Sequence, residues 1–233
     1  MSRKNKYILI TGTSSGIGKQ TALDLLKKNY FVIGVSRKKV DIKNSKYFHL
    51  SIDLLNRIND IKVLEFLKDE KIKLSGLVNN AGINLPNKFD KISLNDYNQI
   101  LKTNLEAPFF LTQKIIPNFK NGASIVNISS FSSISGGPYS SHYAISKSGI
   151  ETLTKNLAIF FKSKKIRVNA ISPGLIKTSM SANFKLHPFY KRILLERVGK
   201  TSDVSEVVQF LLSKNSGYIN GQIINVDGGM FFK

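Results

Sequence analysis

Three residues near the middle of the chain have side chains suited to proton transfer. Tyr143 and Lys147 stand four positions apart in a segment whose apolar residues recur at helical spacing, so both side chains project from one helix face. Ser130 arrives from another direction, because it closes the mostly apolar run 124–129, which is typical of a buried strand. A lysine cation near a phenol lowers the phenol pKa and brings it closer to use as an acid or base at neutral pH. The three residues together predict a proton-transfer site.

A Tyr-x-x-x-Lys pair taken alone is more common on a solvated helix face than in a catalyst, so the surrounding elements must decide. With 233 residues, of which 42% are hydrophobic, the chain can bury one substantial core and suits a single α/β domain over residues 1–233. Within it we expect a cofactor half over about residues 1–90 and a catalytic and substrate half over about residues 91–233.

Composition also limits the compartment and the partners. The absence of cysteine excludes a disulfide framework and a thiolate metal site, and is compatible with a reducing cytoplasm. The first apolar run is too short for a signal peptide, and no run has membrane-spanning length, so we expect a soluble cytoplasmic protein. The net charge of +20 suits nucleic-acid binding, but the lysines are scattered along the chain, which favours a solvated basic surface. Such a surface also suits an acidic partner or an anionic substrate.

The first strand and helix have the pattern of a dinucleotide site. A buried strand at 7–10 leads into a turn that contains Gly12, Gly16 and Gly18 and opens a helical pattern. Such a turn places backbone N–H groups at the positive end of a helix dipole, where a pyrophosphate binds. Gly-rich turns also join strands to helices without any ligand, but the next strand, at 31–35, completes a βαβ unit and favours the dinucleotide interpretation.

The end of that second strand indicates which cofactor binds. A dehydrogenase that uses NAD usually places a carboxylate there for the ribose 2′-hydroxyl, whereas a 2′-phosphate calls for a cation. This chain has Ser36-Arg37-Lys38-Lys39, so we expect NADP(H) rather than NAD(H). The alternative is that Arg37 is one more surface cation, since the neutral Ser15 adds no second cation to the Gly-rich turn.

The rest of the chain alternates between strand and helix patterns. Besides the helix of Tyr143, we expect strands at 48–52, 76–78, 124–128, 166–171 and 222–226, and helices at 58–67, 93–119 and 204–212. Pro108 is expected to kink the helix at 93–119. This order predicts an α/β fold, a Rossmann-type doubly wound parallel sheet with helices on both faces. Ligands then bind beyond the carboxyl ends of the strands, where the polar motifs fall.

Taken together, the motifs resemble those of the short-chain dehydrogenase/reductase family. They follow the family order over essentially the whole chain, with thirteen positions from Ser130 to Tyr143. The matching segments are Thr11-Gly12-x-x-x-Gly16-x-Gly18, Asp53-Leu54, Asn79-Asn80-Ala81-Gly82, Asn104, Ser130, Tyr143-x-x-x-Lys147, Pro173-Gly174 with Thr178, and Val226-Asp227-Gly228-Gly229. Within the family, the general resemblance is to 3-oxoacyl-(acyl-carrier-protein) reductases.

The resemblance implies a role for each site residue. Tyr143 donates a proton to a substrate carbonyl, and Ser130 orients the carbonyl oxygen. Lys147 binds the nicotinamide ribose and lowers the Tyr143 pKa, and Asn104 holds a water that links Lys147 to solvent. The implied catalytic residues are Asn104, Ser130, Tyr143 and Lys147. The implied cofactor-binding residues are Gly12, Ser14, Ser15, Gly16, Ile17, Gly18, Arg37, Asp53, Leu54, Asn80, Ala81, Gly82, Tyr143, Lys147, Pro173, Gly174, Ile176 and Thr178.

The family resemblance also suggests a lid and an oligomer. The segment 179–200 is expected to be a mobile lid that sets substrate choice, and its aromatic residues either line an apolar pocket or pack on the body of the enzyme. These aromatic residues are Phe184, Phe189 and Tyr190, and the cations expected at the pocket mouth are Lys185, Lys191 and Arg192. We expect a homodimer or homotetramer, with interfaces at the helices of Ser93 and Tyr143 and at Met230-Phe231-Phe232.

No metal is expected, because the three histidines show no metal-ligand spacing. His142 adjoins Tyr143 but points away around the helix, so we expect it to be structural or cavity-lining, and His49 and His187 are isolated.

The sequence therefore predicts an NADP(H)-dependent oxidoreductase that reduces a ketone to a secondary alcohol, with Tyr143 as proton donor. The leading substrate is a 3-oxoacyl thioester on an acidic acyl carrier protein. The alternatives are a sugar, polyol or secondary-metabolite alcohol dehydrogenase of the same family and, disfavoured by the complete catalytic set, a non-catalytic module that binds a nucleotide or nucleic acid.

Overall fold

Seven parallel strands form one sheet in the computed structural model, which describes residues 5–56, 58–178 and 188–232, apart from the side chains of residues 58–60. The strand order is β3-β2-β1-β4-β5-β6-β7, and every neighbouring pair is parallel. The strands are β1 (Tyr7–Thr11), β2 (Phe31–Ser36), β3 (Tyr47–Ser51), β4 (Leu74–Asn79), β5 (Phe119–Ile128), β6 (Arg167–Pro173) and β7 (Ile223–Val226). The predicted doubly wound parallel sheet is confirmed.

Helices connect the strands in the order that the sequence pattern predicts, but the helix expected at 93–119 ends at Lys114 and the short helix at Ser132–Ser135 was not predicted. The α-helices are α1 (Gly16–Lys27), α2 (Ile58–Asp69), α3 (Leu94–Leu101), α4 (Ala107–Lys114), α5 (Ser132–Ser135), α6 (Ser141–Phe160) and α7 (Thr201–Leu212). Short 3₁₀ turns lie at Phe89–Lys91, Ile116–Asn118, Phe161–Lys164, Tyr190–Arg192 and Lys214–Ser216. Among the described residues, no helix is long and apolar enough to cross a membrane.

The core lies in two layers, one on each face of the sheet. Successive strand residues point to opposite faces, so Leu9 packs with α2 and α4 on one face while its neighbours Ile8 and Ile10 pack with α1 and α7 on the other. Both faces are therefore covered, which explains why these strands have continuous apolar runs rather than alternating ones.

The chain reverses its direction of travel across the sheet between β1 and β4, which are neighbours. From β1 the chain moves outward through β2 and β3, and from β4 it moves the other way to β7. The loops after β1 and β4 therefore diverge and leave a crevice at the carboxyl ends of the strands. The fold thus provides a ligand site where the sequence motifs fall.

A π-helical turn at Lys102–Glu106, between α3 and α4, lies just before Pro108, where the sequence predicts a kink. Proline has no N–H to donate to the carbonyl four residues earlier, here that of Asn104. The ladder instead shifts to the wider π register, in which the N–H of Ala107 donates to the carbonyl of Lys102. The helix is therefore irregular just before Pro108, and the kink at Pro108 itself stays a prediction.

Candidate active site

A cavity of about 570 Å³ lies at the carboxyl ends of the strands. All the predicted catalytic and cofactor-binding residues line it except Gly18 and Asn104. The lining also includes residues to which the sequence analysis assigned no role, among them Asn84, Gln99, Phe131 and Tyr139. The fold thus brings the motifs of several strand ends together around one space large enough for a ligand.

The turn between β1 and α1 provides the phosphate-binding geometry. Gly12 has a φ of +76°, which disfavours any residue with a side chain, and a Cβ there would lie 2.7 Å from the Asn80 amide nitrogen. Gly18 lies outside the cavity lining, where a Cβ would collide with the Gly12 carbonyl oxygen at 2.4 Å. Gly18 is therefore needed for close packing of the helix against the turn.

The N-terminus of α1 is open to an anion. The N-cap residue Ser15 makes no side-chain hydrogen bond to the helix, and no acidic residue lies in the first turn. The N–H groups of this turn therefore face the cavity without a competing carboxylate. A pyrophosphate group fits this position because it is an anion that accepts hydrogen bonds.

Arg37 lies on the cavity rim at the end of β2, and its side chain is exposed. Two hydroxyls hold the backbone of this loop, since Ser36 donates to the Lys38 carbonyl at 2.8 Å and Ser51 donates to the Arg37 carbonyl at 3.0 Å. The Arg37 side chain thus extends from a hydrogen-bonded backbone at the edge of the cavity.

Thr11 organises the end of β4, a role that the sequence analysis did not assign. Its hydroxyl oxygen accepts hydrogen bonds of 3.0 Å from the backbone N–H groups of both Asn80 and Ala81. The Asn80 amide returns a hydrogen bond of 2.9 Å to the Thr11 carbonyl. The only signal in the sequence is that a threonine precedes the first glycine of the turn.

Asn104 is buried in the π-helical turn and clamps the backbone that follows β4. Its Oδ1 accepts from the Ile83 N–H at 2.9 Å, and its Nδ2 donates to the Ile83 carbonyl at 2.9 Å and to the Ser146 hydroxyl at 3.1 Å. The side chain therefore positions the cavity wall beside Gly82 rather than lining the cavity. The water-holding role that the family resemblance implies for Asn104 stays a prediction.

Tyr143 and Lys147 line the cavity from α6, and Ser130 lines it from the loop after β5. The Lys147 ammonium lies 5.6 Å from the centre of the Tyr143 ring, and Lys147 is 4% exposed. Burial lowers the pKa of Lys147 to about 8, since the interior disfavours its charged form.

Burial raises the pKa of Tyr143 above its ordinary value, and the hydrogen bond with the Ser130 side chain acts in the opposite direction. The sequence predicted a lowered pKa. The difference arises because desolvation of the phenol outweighs the stabilisation of the phenolate, while the Lys147 ammonium donates to the Ile128 carbonyl. Tyr143 is therefore a protonated donor at neutral pH in this structure.

The predicted lid is described only in part, because Phe184, Lys185 and His187 lie outside the described residues. Phe189 lines the cavity and makes an edge contact with Phe131 at 5.9 Å between ring centres. Among the other lid candidates, Tyr190 packs against a small core cluster, and the Arg192 guanidinium lies 5.4 Å from the Phe189 ring centre.

The predicted oligomer contact at the C-terminal end is wrong for Met230, which is 4% exposed and packs within the same chain against Leu175 and Ile193. Phe231 packs within the chain too, stacked on Phe131 with 6.0 Å between ring centres. Phe232 is 80% exposed. The difference arises because the chain returns after β7 and packs against Leu175 and Phe131, which line its own cavity.

The two described histidines lie apart from the candidate catalytic side chains. His142 is buried and outside the lining of the 570 Å³ cavity, which fits the structural role, one of the two predicted for it. The Nδ1 of His49 lies 3.3 Å from the Tyr47 hydroxyl. Within the described part of the chain, no group of three or more His, Cys, Asp or Glu residues could hold a metal ion.

Comparison with known proteins gives matches over almost the whole chain. A sequence model of a family described as enoyl-(acyl carrier protein) reductase matches residues 12–231. A 3-oxoacyl-(acyl-carrier-protein) reductase from Thermotoga maritima is 34% identical over 245 aligned positions, with 99% of each chain covered.

Solved structures share the fold at similar coverage. The 3-ketoacyl-(acyl-carrier-protein) reductase from Brucella melitensis complexed with NADH is 29% identical, with a TM-score of 0.89 and coverage of 97% of this chain and 98% of that one. The aldohexose dehydrogenase from Thermoplasma acidophilum is 28% identical, with a TM-score of 0.88 and coverage of 97% and 94%. The structural likeness thus extends to enzymes with different substrates.

Proposed function

The chain belongs to the short-chain dehydrogenase/reductase family and is an NAD(P)-dependent oxidoreductase acting on alcohol or keto groups, and on this premise we propose that it reduces the ketone of a 3-oxoacyl thioester to a secondary alcohol. The observation that carries the proposal is the hydrogen-bonded pair of Ser130 and Tyr143 on the cavity wall, with Lys147 buried beside them. A neutral phenol and a hydroxyl at one place suit a carbonyl oxygen that must gain a proton.

The side chains divide the work of the reduction. A bound nicotinamide cofactor supplies the hydride. The Ser130 hydroxyl donates a hydrogen bond to the substrate carbonyl oxygen and holds it beside Tyr143. The raised pKa keeps the Tyr143 proton in place until negative charge develops on that oxygen, and Tyr143 then donates it. Lys147, charged below a pH of about 8, stabilises the phenolate that remains.

NADP(H) is the proposed cofactor. The support is the exposed guanidinium of Arg37 at the cavity edge, on a loop that Ser36 and Ser51 hold in place. A 2′-phosphate needs a cation at this position, whereas the 2′-hydroxyl of NAD is usually bound by a carboxylate. The competing cofactor is NAD(H), since the Brucella melitensis reductase was solved with NADH.

An acyl carrier protein is the proposed carrier of the substrate. The net charge of +20 favours association with an acidic partner, because opposite charges accelerate the encounter. The 34% identity with a 3-oxoacyl-(acyl-carrier-protein) reductase supports the same substrate class.

A homodimer or homotetramer is part of the proposal. Its support is the row of exposed apolar side chains on α3, α4 and α6, namely Leu94, Phe109, Ile145, Ile159 and Phe160. The division into a cofactor half and a substrate half, with a lid at 179–200, is also proposed, and the place of Phe189 on the cavity wall supports it. The cytoplasmic location stays a prediction from the sequence.

The second candidate is a sugar dehydrogenase of the same family. The observation that favours it is the TM-score of 0.88 with the Thermoplasma acidophilum aldohexose dehydrogenase. The two enzymes would share the cofactor site and the catalytic residues, so substrate turnover is what separates them.

The test is to follow oxidation of NADPH and NADH with a 3-oxoacyl thioester, an aldonolactone and simple ketones. We expect rapid thioester reduction with NADPH, and a loss of about 10²- to 10⁴-fold in kcat for Tyr143→Phe, which removes the proton donor but keeps the ring. Reduction of the lactone without reduction of the thioester would identify the protein as a sugar dehydrogenase instead. An unimpaired Tyr143→Phe enzyme would overturn the role of Tyr143.

A further inference from the structure

Glu151 is a buried carboxylate behind the proposed catalytic serine. It stands on α6 four residues beyond Lys147, on the same helix face, and is 9% exposed. Burying a carboxylate costs free energy unless hydrogen bonds compensate for the lost water. The reduction described above gives this residue no part, so its hydrogen-bond partners indicate what it does.

Two of its partners come from the segment between β5 and α6 that carries Ser130. The hydroxyl of Ser129 lies 3.0 Å and the hydroxyl of Ser133 lies 2.5 Å from the same carboxylate oxygen, Oε1 of Glu151. Two residues on either side of Ser130, the second of them in α5, therefore converge on a single acceptor atom in α6.

Each hydroxyl also has a backbone carbonyl within reach. The Ser129 oxygen lies 3.3 Å from the Lys147 carbonyl, and the Ser133 oxygen lies 2.8 Å from the Ser130 carbonyl. A hydroxyl has one hydrogen and donates it to one acceptor at a time. For each hydroxyl the Glu151 oxygen is the nearer of the two acceptors, at 3.0 Å against 3.3 Å for Ser129 and 2.5 Å against 2.8 Å for Ser133.

Ser130 lies between these two anchors, directly after Ser129 and three residues before Ser133. Its own hydroxyl oxygen accepts a hydrogen bond of 3.1 Å from the Ser132 N–H, so its place depends on the path of the same loop. Loss of the common acceptor would release the loop on both sides of the hydroxyl that meets the substrate.

We propose that Glu151 is a positioning residue, whose Oε1 accepts the hydroxyls of Ser129 and Ser133 and thereby holds the Ser130 hydroxyl in the position that binds the substrate carbonyl oxygen. The inference rests on the proposed function, because it requires Ser130 to act on the carbonyl. In this role the acceptor oxygen matters and the negative charge does not. Glu151→Gln, which keeps an oxygen and removes the charge, is therefore an informative variant.

The experiment compares Glu151→Gln with Glu151→Leu in the full-length chain. The amide of glutamine keeps an oxygen that can accept both hydroxyls, whereas leucine has a similar size and no acceptor. We expect Glu151→Leu to lower kcat by about 10- to 100-fold, as a displaced positioning group does, with the Kd for NADPH within about twofold of the wild-type value. We expect Glu151→Gln to keep at least about half of the wild-type kcat, since the acceptor is retained.

The control for loss of a buried polar side chain is Gln209→Leu. Gln209 is 8% exposed on α7, donates to the Ser205 carbonyl at 3.2 Å and lies outside the cavity lining. It should change the thermal midpoint and leave kcat unchanged. A second variant, Ser133→Ala, removes one donor and leaves the core of α6 intact, so it tests the loop even if Glu151→Leu fails to fold. It should lower kcat several-fold.

Ser130→Ala distinguishes failure of the positioning role of Glu151 from failure of the proposed function. If Ser130→Ala loses about 10²- to 10³-fold in kcat while folded Glu151→Leu or Ser133→Ala retains the wild-type value, the positioning role is overturned and the proposed function stands. If Glu151→Gln is as impaired as Glu151→Leu, the acceptor role of Oε1 is overturned. If Ser130→Ala itself has the wild-type kcat, the proposed function fails.

Discussion

The ammonium group of Lys147 donates a hydrogen bond of 2.8 Å to the backbone carbonyl of Ile128, the last residue of β5. This bond ties α6, which carries Tyr143, to the strand that leads into Ser130. It also holds the ammonium in a buried place, where desolvation lowers the pKa of Lys147 to about 8. Burial of the ammonium beside the end of β5 therefore explains both where this cation lies and why its pKa is about 8.

We expect kcat/KM for NADPH to fall as the pH rises through about 8, because Lys147 then loses the positive charge that attracts the anionic cofactor. Tyr143 does not account for this change, since burial raises its pKa and it stays protonated in this range. Rates at low NADPH concentration between pH 6 and 10 give the profile.

The control is Lys147→Arg, whose guanidinium does not titrate in this range. It should be less active than the wild type, because its planar head is larger than an ammonium, and its profile should be flat near pH 8. A wild-type limb at pH 8 that persists in Lys147→Arg would assign the titration to another group.

Gly12 and Gly122 form a matched pair for testing the Gly-rich turn. Their φ angles are nearly equal, at +76° and +75°, but a Cβ on Gly12 would lie 2.9 Å from the Ala81 Cα, whereas a Cβ on Gly122 would have no neighbour within 4 Å. Gly122→Ala should lower the free energy of unfolding by about 1–2 kcal/mol, from the backbone conformation alone. Gly12→Ala should lower the free energy of unfolding by more, because the clash with Ala81 is added to the same backbone strain.

Cofactor binding separates the two variants further. We expect Gly12→Ala to raise the Kd for NADPH more than about tenfold, since the shifted backbone no longer fits a pyrophosphate, while Gly122→Ala keeps the wild-type value. Urea unfolding and titration of NADPH fluorescence measure the two quantities. Equal effects of both substitutions on the Kd would show that the turn does not hold the cofactor.

The parallel sheet could be predicted from the sequence because its strands are buried on both faces and therefore appear as short continuous apolar runs. The clearest deviation is β5, which was predicted at 124–128 and is observed from Phe119. Its first part contains the exposed Asn121 and Gly122, so neither apolar continuity nor alternation marks it as a strand. Pairing with β4, in which Phe119 lies opposite Leu74, extends the strand beyond its apolar core.

Motif spacing located the candidate catalytic residues but did not predict the pKa of Tyr143 or the contacts of Asn104. Helical periodicity places Tyr143 and Lys147 on one face, and the structure confirms that both line the cavity. The same spacing contains no information on desolvation or on the Ile128 carbonyl that receives the Lys147 hydrogen bond, so the Tyr143 pKa was predicted in the wrong direction. Likewise, the clamp between Asn104 and Ile83 depends on a π-helical turn whose only sequence signal is Pro108.

Arg37 should determine the preference between the two cofactors. We expect Arg37→Ala to lower kcat/KM for NADPH by about 10- to 100-fold, the loss of one charge-assisted hydrogen bond to the 2′-phosphate, and to change kcat/KM for NADH less than about twofold. The control is Lys39→Ala, which removes a nearby exposed cation that does not line the cavity. Equal losses for both cofactors, or an equal effect of Lys39→Ala, would contradict recognition of the 2′-phosphate by Arg37.

The exposed apolar end of α6 should be an interface between two copies of the chain. Ile159 is 77% exposed and Phe160 is 58% exposed, which is unusual for adjacent large apolar residues on a helix that faces water. Wild-type protein should have two or four times the chain mass of 26.0 kDa by light scattering. Ile159→Lys should shift it toward monomer at micromolar concentration, because a two-fold interface would bury the unpaired ammonium twice.

Ile61→Lys is the matched control, since Ile61 is 41% exposed on α2, away from the proposed interface helices. It should leave the mass of the oligomer unchanged. A wild-type mass of one chain would contradict the oligomer, and an unchanged mass for Ile159→Lys would place the interface elsewhere. Because Ile159 lies far along α6 from Tyr143, a monomeric Ile159→Lys variant with normal NADPH affinity would further show that one chain builds the complete cofactor site.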